Sequence, residues 1–279
     1  MKFFQGLFFI LLLTVFGWWI NEHHPKWREE CIHLLNARPC SVIEAKFTPE
    51  QIIEMNRKSL LSIHKYQYLP PVTKLYPLLL LDVKYNLSST KTQEDLILWD
   101  LIDGEMIIDT KDWKKTHGLS DCIRENSSRL EVEILLTLAK NKGSLHSDSL
   151  LQLLHWNKTT FKSWLESCRR KSLVIQHDNI IRIHMQDPIL STTPKTIFHE
   201  NLITTIDTSG LPRLTRQFSS SQIKRIASLV FEEGFSIRNM KHIFLPIYII
   251  TVQNSDNSLQ TTYWNAFTGK QIIHHVFIE

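Results

Sequence analysis

Five acidic side chains, Asp100, Asp103, Asp109, Glu131 and Glu133, are the residues that could pair in space for general acid and base work. Glu131 and Glu133 fall on the polar side of a helical pattern, where solvent is their expected surrounding. The motifs that usually accompany catalysis are missing. There is no Gly-x-Ser-x-Gly elbow, no phosphate loop ending in Gly-Lys-Ser/Thr and no His-Glu-x-x-His, and the chain has only eight glycines. Cys31, Cys40, Cys122 and Cys168 follow no metal-ligand spacing, and His23-His24 and His274-His275 are not at the spacing that places two ligands on one helix face. Only Cys31 and Cys40 are close enough in sequence to suggest a disulfide. The expectation is a chain that binds rather than catalyses, with no cofactor and no metal.

The elements that position side chains are clearest between Arg129 and His184. Leu130, Ile134, Leu135 and Leu138 form one apolar stripe of a helix that stops at Lys142-Gly143-Ser144. A second helix is predicted from Ser147, as N-cap, to Trp156; a turn at Asn157 leads to a third over Lys158 to Lys171, with Phe161, Trp164, Leu165 and Cys168 facing the core. The runs 173–177 and 180–184 flank Asp178-Asn179, a pair that tolerates positive φ in a two-residue hairpin turn. This order resembles a winged helix. The resemblance implies that the third helix enters a major groove while the wing meets phosphate. The matching positions are Asn157, Lys158, Thr159, Thr160, Lys162 and Ser163 at the start of the third helix, Arg169, Arg170 and Lys171 at its end, and Arg182 on the wing. Lys and Arg would contact phosphate, and Asn and Thr would reach base edges. Glu166 and Asp178 interrupt this patch, and many winged helices contact proteins instead.

The chain begins with a run from Phe3 to Ile20 that carries no charge, long enough to span a bilayer core, with Trp18 and Trp19 where an aromatic belt would sit. It lacks the small-residue pattern needed for cleavage, so an uncleaved anchor is expected. Lys2 on one side and Lys26, Arg28 and Arg38 on the other do not decide its orientation. A short N-terminal flank ahead of an apolar run resembles a secretory signal, which places the body outside the cytoplasm; a cytoplasmic body is the alternative.

An internal repeat lies on both sides of the winged-helix segment. Tyr76-Pro77 through Trp99 to Ile107 matches Leu245-Pro246 through Trp264 to Ile272, each copy closing with Trp-[Asp/Asn]-x-x-[Asp/Thr]-Gly-[Glu/Lys]-x-Ile. Pro and Trp are 22 residues apart in the first copy and 18 in the second, a difference that a surface loop absorbs. Trp99 and Trp264 are expected to cover a hairpin face, and Gly104 and Gly269 to supply the positive φ of the turn. Thr48-Pro49 and Ser219 open a helix before each hairpin, and the two helix-strand-strand copies are expected to pack as one discontinuous domain about a pseudo-twofold axis.

The second copy, from Tyr248 to Lys270, resembles a PepSY-type module, whose hairpin ends in an Asp-Ala-x-Thr-Gly-Glu-like turn. Asn265 stands in place of the Asp and Lys270 in place of the acid; the first copy keeps Asp100 and Glu105 but has Leu101 and Asp103. The resemblance implies an extracytoplasmic binding or regulatory module without catalytic residues.

The sequence therefore predicts an α+β chain with a transmembrane anchor (1–20), a juxtamembrane segment (21–47), a first α-β-β repeat (48–115), a winged helix (128–186), a linker (187–217) and a second repeat (218–279). A single-pass inner-membrane protein that binds a protein or envelope partner is the expected function. The alternative is a membrane-tethered DNA-binding regulator with a cytoplasmic body. A mild charge of +4 does not argue nucleic-acid binding for the whole chain, so any basic surface must be local.

Overall fold

A computed structural model describes residues 40–272 apart from 61–66, 89, 191–192, 200–201, 209 and 232–233. In chain order the elements are β1 (Cys40–Ile43), α1 (Pro49–Met55), α2 (Arg57–Leu60), β2 (Gln67–Tyr68), β3 (Val72–Asn86), β4 (Thr92–Asp100), β5 (Met106–Asp109), β6 (Lys114–Lys115), α3 (Leu119–Arg124), α4 (Arg129–Lys140), β7 (Ser144–His146), α5 (Ser147–Leu154), α6 (Lys158–Arg170), β8 (Val174–His177), β9 (Ile180–Ile183), β10 (Ile203–Ile206), α7 (Ser220–Val230), β11 (Ser236–Gln253), β12 (Leu259–Asn265) and β13 (Gln271–Ile272). The described residues of 41–204 and 212–272 make one compact unit. Residues 205–211 belong to the other, and within it the Leu211 amide donates to the Thr208 carbonyl.

The large sheet is built on the antiparallel pair β3 and β11. Its register sets Leu75 opposite Pro246, Tyr76 opposite Leu245 and Pro77 opposite Phe244. Equivalent residues of the two repeats thus face each other at Tyr76 and Leu245, where an approximate twofold axis crosses the ladder. Each long strand carries its own hairpin partner, β4 on β3 and β12 on β11. Alternate residues of β3 and β4 divide between the faces: Leu79, Leu81, Ile97 and Trp99 belong to one core cluster, Tyr76, Leu78 and Leu98 to another.

The helices are exchanged between repeats. Ile223, Ile226, Ala227 and Val230 of α7, which precedes the second hairpin, share a cluster with Leu79, Leu81 and Trp99 of the first hairpin. Ile52 of α1, which precedes the first hairpin, packs with Tyr248, Ile250 and Trp264 of the second. Both helices begin with a capping box, Thr48 with Gln51 and Ser219 with Gln222. The residue before each cap is Phe, and it seals the opposite repeat's turn. The amides of Gln217 and Phe218 donate to the Leu101 carbonyl, and those of Lys46 and Phe47 donate to the Ala266 carbonyl. Gly104, at φ 80°, has no room for a Cβ, which would lie 2.7 Å from the Phe218 ring.

Between the repeats, α4, α5 and α6 carry a three-stranded sheet in the order β7-β9-β8. The α5 helix ends at Leu154 rather than Trp156, with His155 left-handed at φ 53°, and its N-cap position is His146, which makes no side-chain cap hydrogen bond, rather than Ser147. In the β8–β9 turn Asp178 has the positive φ, 52°. This segment has no core of its own: Leu135, Leu138, Leu150, Phe161 and Cys168 belong to the same cluster as α7 and the first hairpin. Glu105 secures the joint. Its buried carboxylate accepts from the amides of Gly118, Leu119 and Ser120 at the start of α3 and from the Thr116 hydroxyl. The predicted linker is likewise packed, since the buried Thr196 hydroxyl donates to the Ile107 carbonyl and accepts from the Leu98 amide.

Two sequence expectations need correction. The fold is α+β, but no helix among the described residues is long and apolar enough to cross a membrane. The run from Phe3 to Ile20 lies outside those residues, as do the juxtamembrane residues to 39, Cys31 of the suggested disulfide and the His pairs. The single-pass inner-membrane assignment, and the anchor-based orientation with it, is withdrawn. Glu131, expected in solvent, is fully buried: it closes the capping box with Ser128, then accepts from the Ser167 hydroxyl and the Lys171 ammonium, tying α4 to α6. Helical periodicity missed it because a capping glutamate turns back toward its own helix start.

Candidate functional site

The α6 helix separates its side chains cleanly. Phe161, Leu165 and Cys168 are buried, whereas Lys158, Thr159, Lys162, Ser163, Arg169 and Arg170 are exposed. At about 100° per residue these outward positions cover an arc of about 140°. Arg182, on β9 between Ser144 of β7 and Ile175 of β8, is also exposed. Not every predicted contact residue is available. The Asn157 side-chain oxygen caps α6, accepting from the Thr160 amide at 2.8 Å, and Thr160 is half-buried. Arg169 is paired with Glu166 at 3.0 Å, and Lys171 points inward to Glu131 at 2.8 Å. Among the described residues, Lys158, Lys162, Arg170 and Arg182 form no ion pair. A hollow of about 390 Å³ borders this face, with Lys158, Lys162 and Arg169 on one side and Ser147 and Asp148 of α5 on another.

Burial works to raise the pKa of Glu131, but the Lys171 ammonium, the Ser128 amide and the Ser167 hydroxyl outweigh it and hold the carboxyl below its ordinary value. A depressed folded pKa contributes stability that is present above about pH 4.3 and is lost as pH falls through the folded value. Glu131→Gln should therefore cost about 1–3 kcal/mol at pH 7, with the gap narrowing below about pH 4. Urea unfolding at both pH values measures this; a gap independent of pH would refute it.

The repeat turns form the second constellation, and the structure places Trp99, Gly104, Trp264 and Gly269 at matching points of them. Asp100 Oδ1 accepts from the Ile102 and Asp103 amides, and Asn265 Oδ1 accepts from those of Phe267 and Thr268. Gly104 and Gly269 return their amides to the carbonyls of Asp100 and Asn265. Both indoles are buried. Trp99 Nε1 donates to the Gly104 carbonyl and Trp264 Nε1 to the Thr262 hydroxyl, each at 2.8 Å.

The copies differ in charge. Fully buried Asp100 receives the Tyr76 hydroxyl at 2.7 Å and the Lys115 ammonium at 2.6 Å, and Asp103 shares that ammonium. Burial, then Asp103, raises the Asp100 pKa against the pull of Lys115. Burial would lower that of Lys115, but the two carboxylates outweigh it and hold the ammonium charged. Tyr76 is pushed well up by burial and by Asp100 and Asp103. Of the five acids considered for catalysis, Asp100 and Asp103 thus meet on one lysine. Asp109 instead pairs with His199 at 2.9 Å, Glu131 is structural and Glu133 is half-buried. Among the described residues no group of three His, Cys, Asp or Glu is placed to hold a metal ion. Sequence reasoning did not single out Lys115 and placed Tyr76 and Glu105 in the repeat without a bonding role. The one available signal was the pairing of Glu105 with Lys270 in the aligned repeats, an acid and a base at one turn position.

In comparisons with known proteins, the chain matches no family model, no curated protein and no solved structure.

Proposed function

We propose that this is a non-enzymatic binding protein whose α6 helix and β8–β9 hairpin dock on double-stranded DNA. The observation that carries this reading is the set of exposed cations Lys158, Lys162, Arg170 and Arg182, none ion-paired among the described residues, on one helix and its adjoining wing. Unpaired surface cations release counterions from phosphate without first breaking a bridge. Thr159 and Ser163, exposed on the same arc, supply short polar groups of the kind that hydrogen-bond to base edges. The sequence preference for a protein partner rested on export by an anchor, an assignment withdrawn above, and on Glu166 and Asp178, which interrupt the patch. A protein partner is the second reading, favoured by the acids Asp148, Glu166 and Asp178 around the patch.

Anisotropy with a labelled 20-base-pair duplex at low salt tests the proposal. The unmutated protein should bind, and the combined Lys158→Glu, Lys162→Glu and Arg170→Glu variant should lose at least 100-fold in affinity while its thermal midpoint stays close to that of the parent. Absence of binding by the unmutated protein at low salt overturns the DNA reading.

A further inference from the structure

Where the two repeat turns meet there is a cleft of about 350 Å³. Asp103, Asp112, Trp113 and Lys115 line it from the first repeat, and Asn265, Thr268, Lys270, Gln271 and Ile272 from the second. Its volume is at the small end of ligand pockets.

One side chain that lines this cleft, Asn265, carries a buried atom without a partner among the described residues. Asn265 is 2% exposed, and its Oδ1 is occupied by the Phe267 and Thr268 amides at 2.8 and 3.1 Å, which fixes the orientation of the side-chain amide. Its Nδ2 is buried and has no acceptor among the described residues. At the equivalent point of the first repeat Asp100 Oδ2 is fully engaged by Tyr76 and Lys115. The unfilled position is thus peculiar to the second turn, and it is a donor. Buried amides without acceptors are rare because each costs free energy, and an oxygen supplied from outside removes that cost.

The charges around it select the kind of molecule. The cleft presents both signs of charge, Asp103 and Asp112 beside Lys115 and Lys270, with the Lys115 ammonium shared between Asp103 and buried Asp100. Lys270 and Asp112 pair with each other at 2.8 Å while both remain more than half exposed, a bridge that opens at little cost. We infer that the cleft binds a small zwitterion, an α-amino acid or the joined termini of a dipeptide. Its carboxylate accepts from Asn265 Nδ2 and Lys270 Nζ, and its ammonium donates to Asp112 and Asp103. Trp113, which packs on Phe267 with ring centroids 6.2 Å apart, offers an apolar wall to the side chain.

The test uses the full chain and isothermal titration with each of the twenty standard amino acids and with glycylglycine. At least one should bind with a dissociation constant below about 1 mM and raise the thermal midpoint. Its N-acetyl amide, which keeps the side chain but loses both charges, should bind at least tenfold more weakly. Asn265→Asp keeps the acceptor oxygen on which the turn depends, as Asp100 shows in the first repeat, and should abolish binding by setting carboxylate against carboxylate. Lys270→Ala, on an exposed side chain, should weaken binding at least fivefold without lowering the midpoint of the unliganded protein. Neither variant should alter duplex DNA binding, which separates this site from the α6 face. The inference is overturned if none of the probes binds, if the blocked derivative binds equally well, or if inorganic phosphate alone competes fully.

Discussion

Lys115→Met is expected to destabilise the sheet-bearing unit by about 3–5 kcal/mol, the cost of leaving a buried charge without its partner. Lys115 is the ammonium that balances fully buried Asp100 and shares itself with Asp103. For a unit of this size the loss amounts to roughly 6–20 °C in the thermal midpoint. The variant should also show a steeper pH dependence than the parent. Without the lysine, burial and then Asp103 push the already raised Asp100 pKa further above its unfolded value, so the folded state binds the extra proton and stability recovers as pH falls toward the folded pKa. The second repeat contains the repair, since Asn265 makes the same two turn hydrogen bonds with no charge. Asp100→Asn combined with Lys115→Met should recover more than half of the loss. Urea unfolding of the single and double variants at pH 5 and pH 8 decides; a double variant as unstable as the single one would contradict the account.

Trp99→Ala is expected to cost about 3–5 kcal/mol, and more than Trp264→Ala at the matching position. Both indoles are buried and hydrogen-bonded, but their surroundings differ in extent. Trp99 lies in the cluster that joins the first hairpin to α7 and to α3, α4, α5 and α6, so a cavity there loosens every element at once. Trp264 packs in a smaller cluster with α1, Tyr248 and Ile250. Denaturant midpoints of the two variants should fall in that order, and Trp99→Phe, which keeps the ring but leaves the Gly104 carbonyl without its donor, should lie between Trp99→Ala and the parent. A Trp264→Ala variant less stable than Trp99→Ala would show that the clusters do not share load as described.

Local patterns in the sequence carry much of this architecture. The stripe of Leu130, Ile134, Leu135 and Leu138, the alternation in the repeat strands and the glycines at positive φ each depend on residues within one element, and periodicity exposes such signals. The exchange of α1 and α7 was not legible, because helix-strand-strand order is the same whichever hairpin a helix covers. The packing of α1 and α7 on the opposite hairpins decides it, with Phe47 beside Gly269 and Phe218 beside Gly104. The short elements β1, β6 and α3 escaped for a different reason. Two to six residues carry no period, and α3 is specified by Glu105, an acid that sequence reading treats as turn decoration. The outward residues of α6 were legible as a face, but Asn157, Arg169 and Lys171 were spent on a cap and two ion pairs that depend on neighbours near and far in the chain.

The slope of duplex affinity against salt tests the central claim most directly. With Lys158, Lys162, Arg170 and Arg182 each meeting one phosphate, a plot of log affinity against log salt concentration should fall with a slope of about −3 to −4. The Lys158→Glu, Lys162→Glu and Arg170→Glu protein should show a slope no steeper than about −1. A parent protein whose affinity is flat in salt, or which binds no duplex at the lowest salt, would contradict the assignment of the α6 and β8–β9 face to DNA.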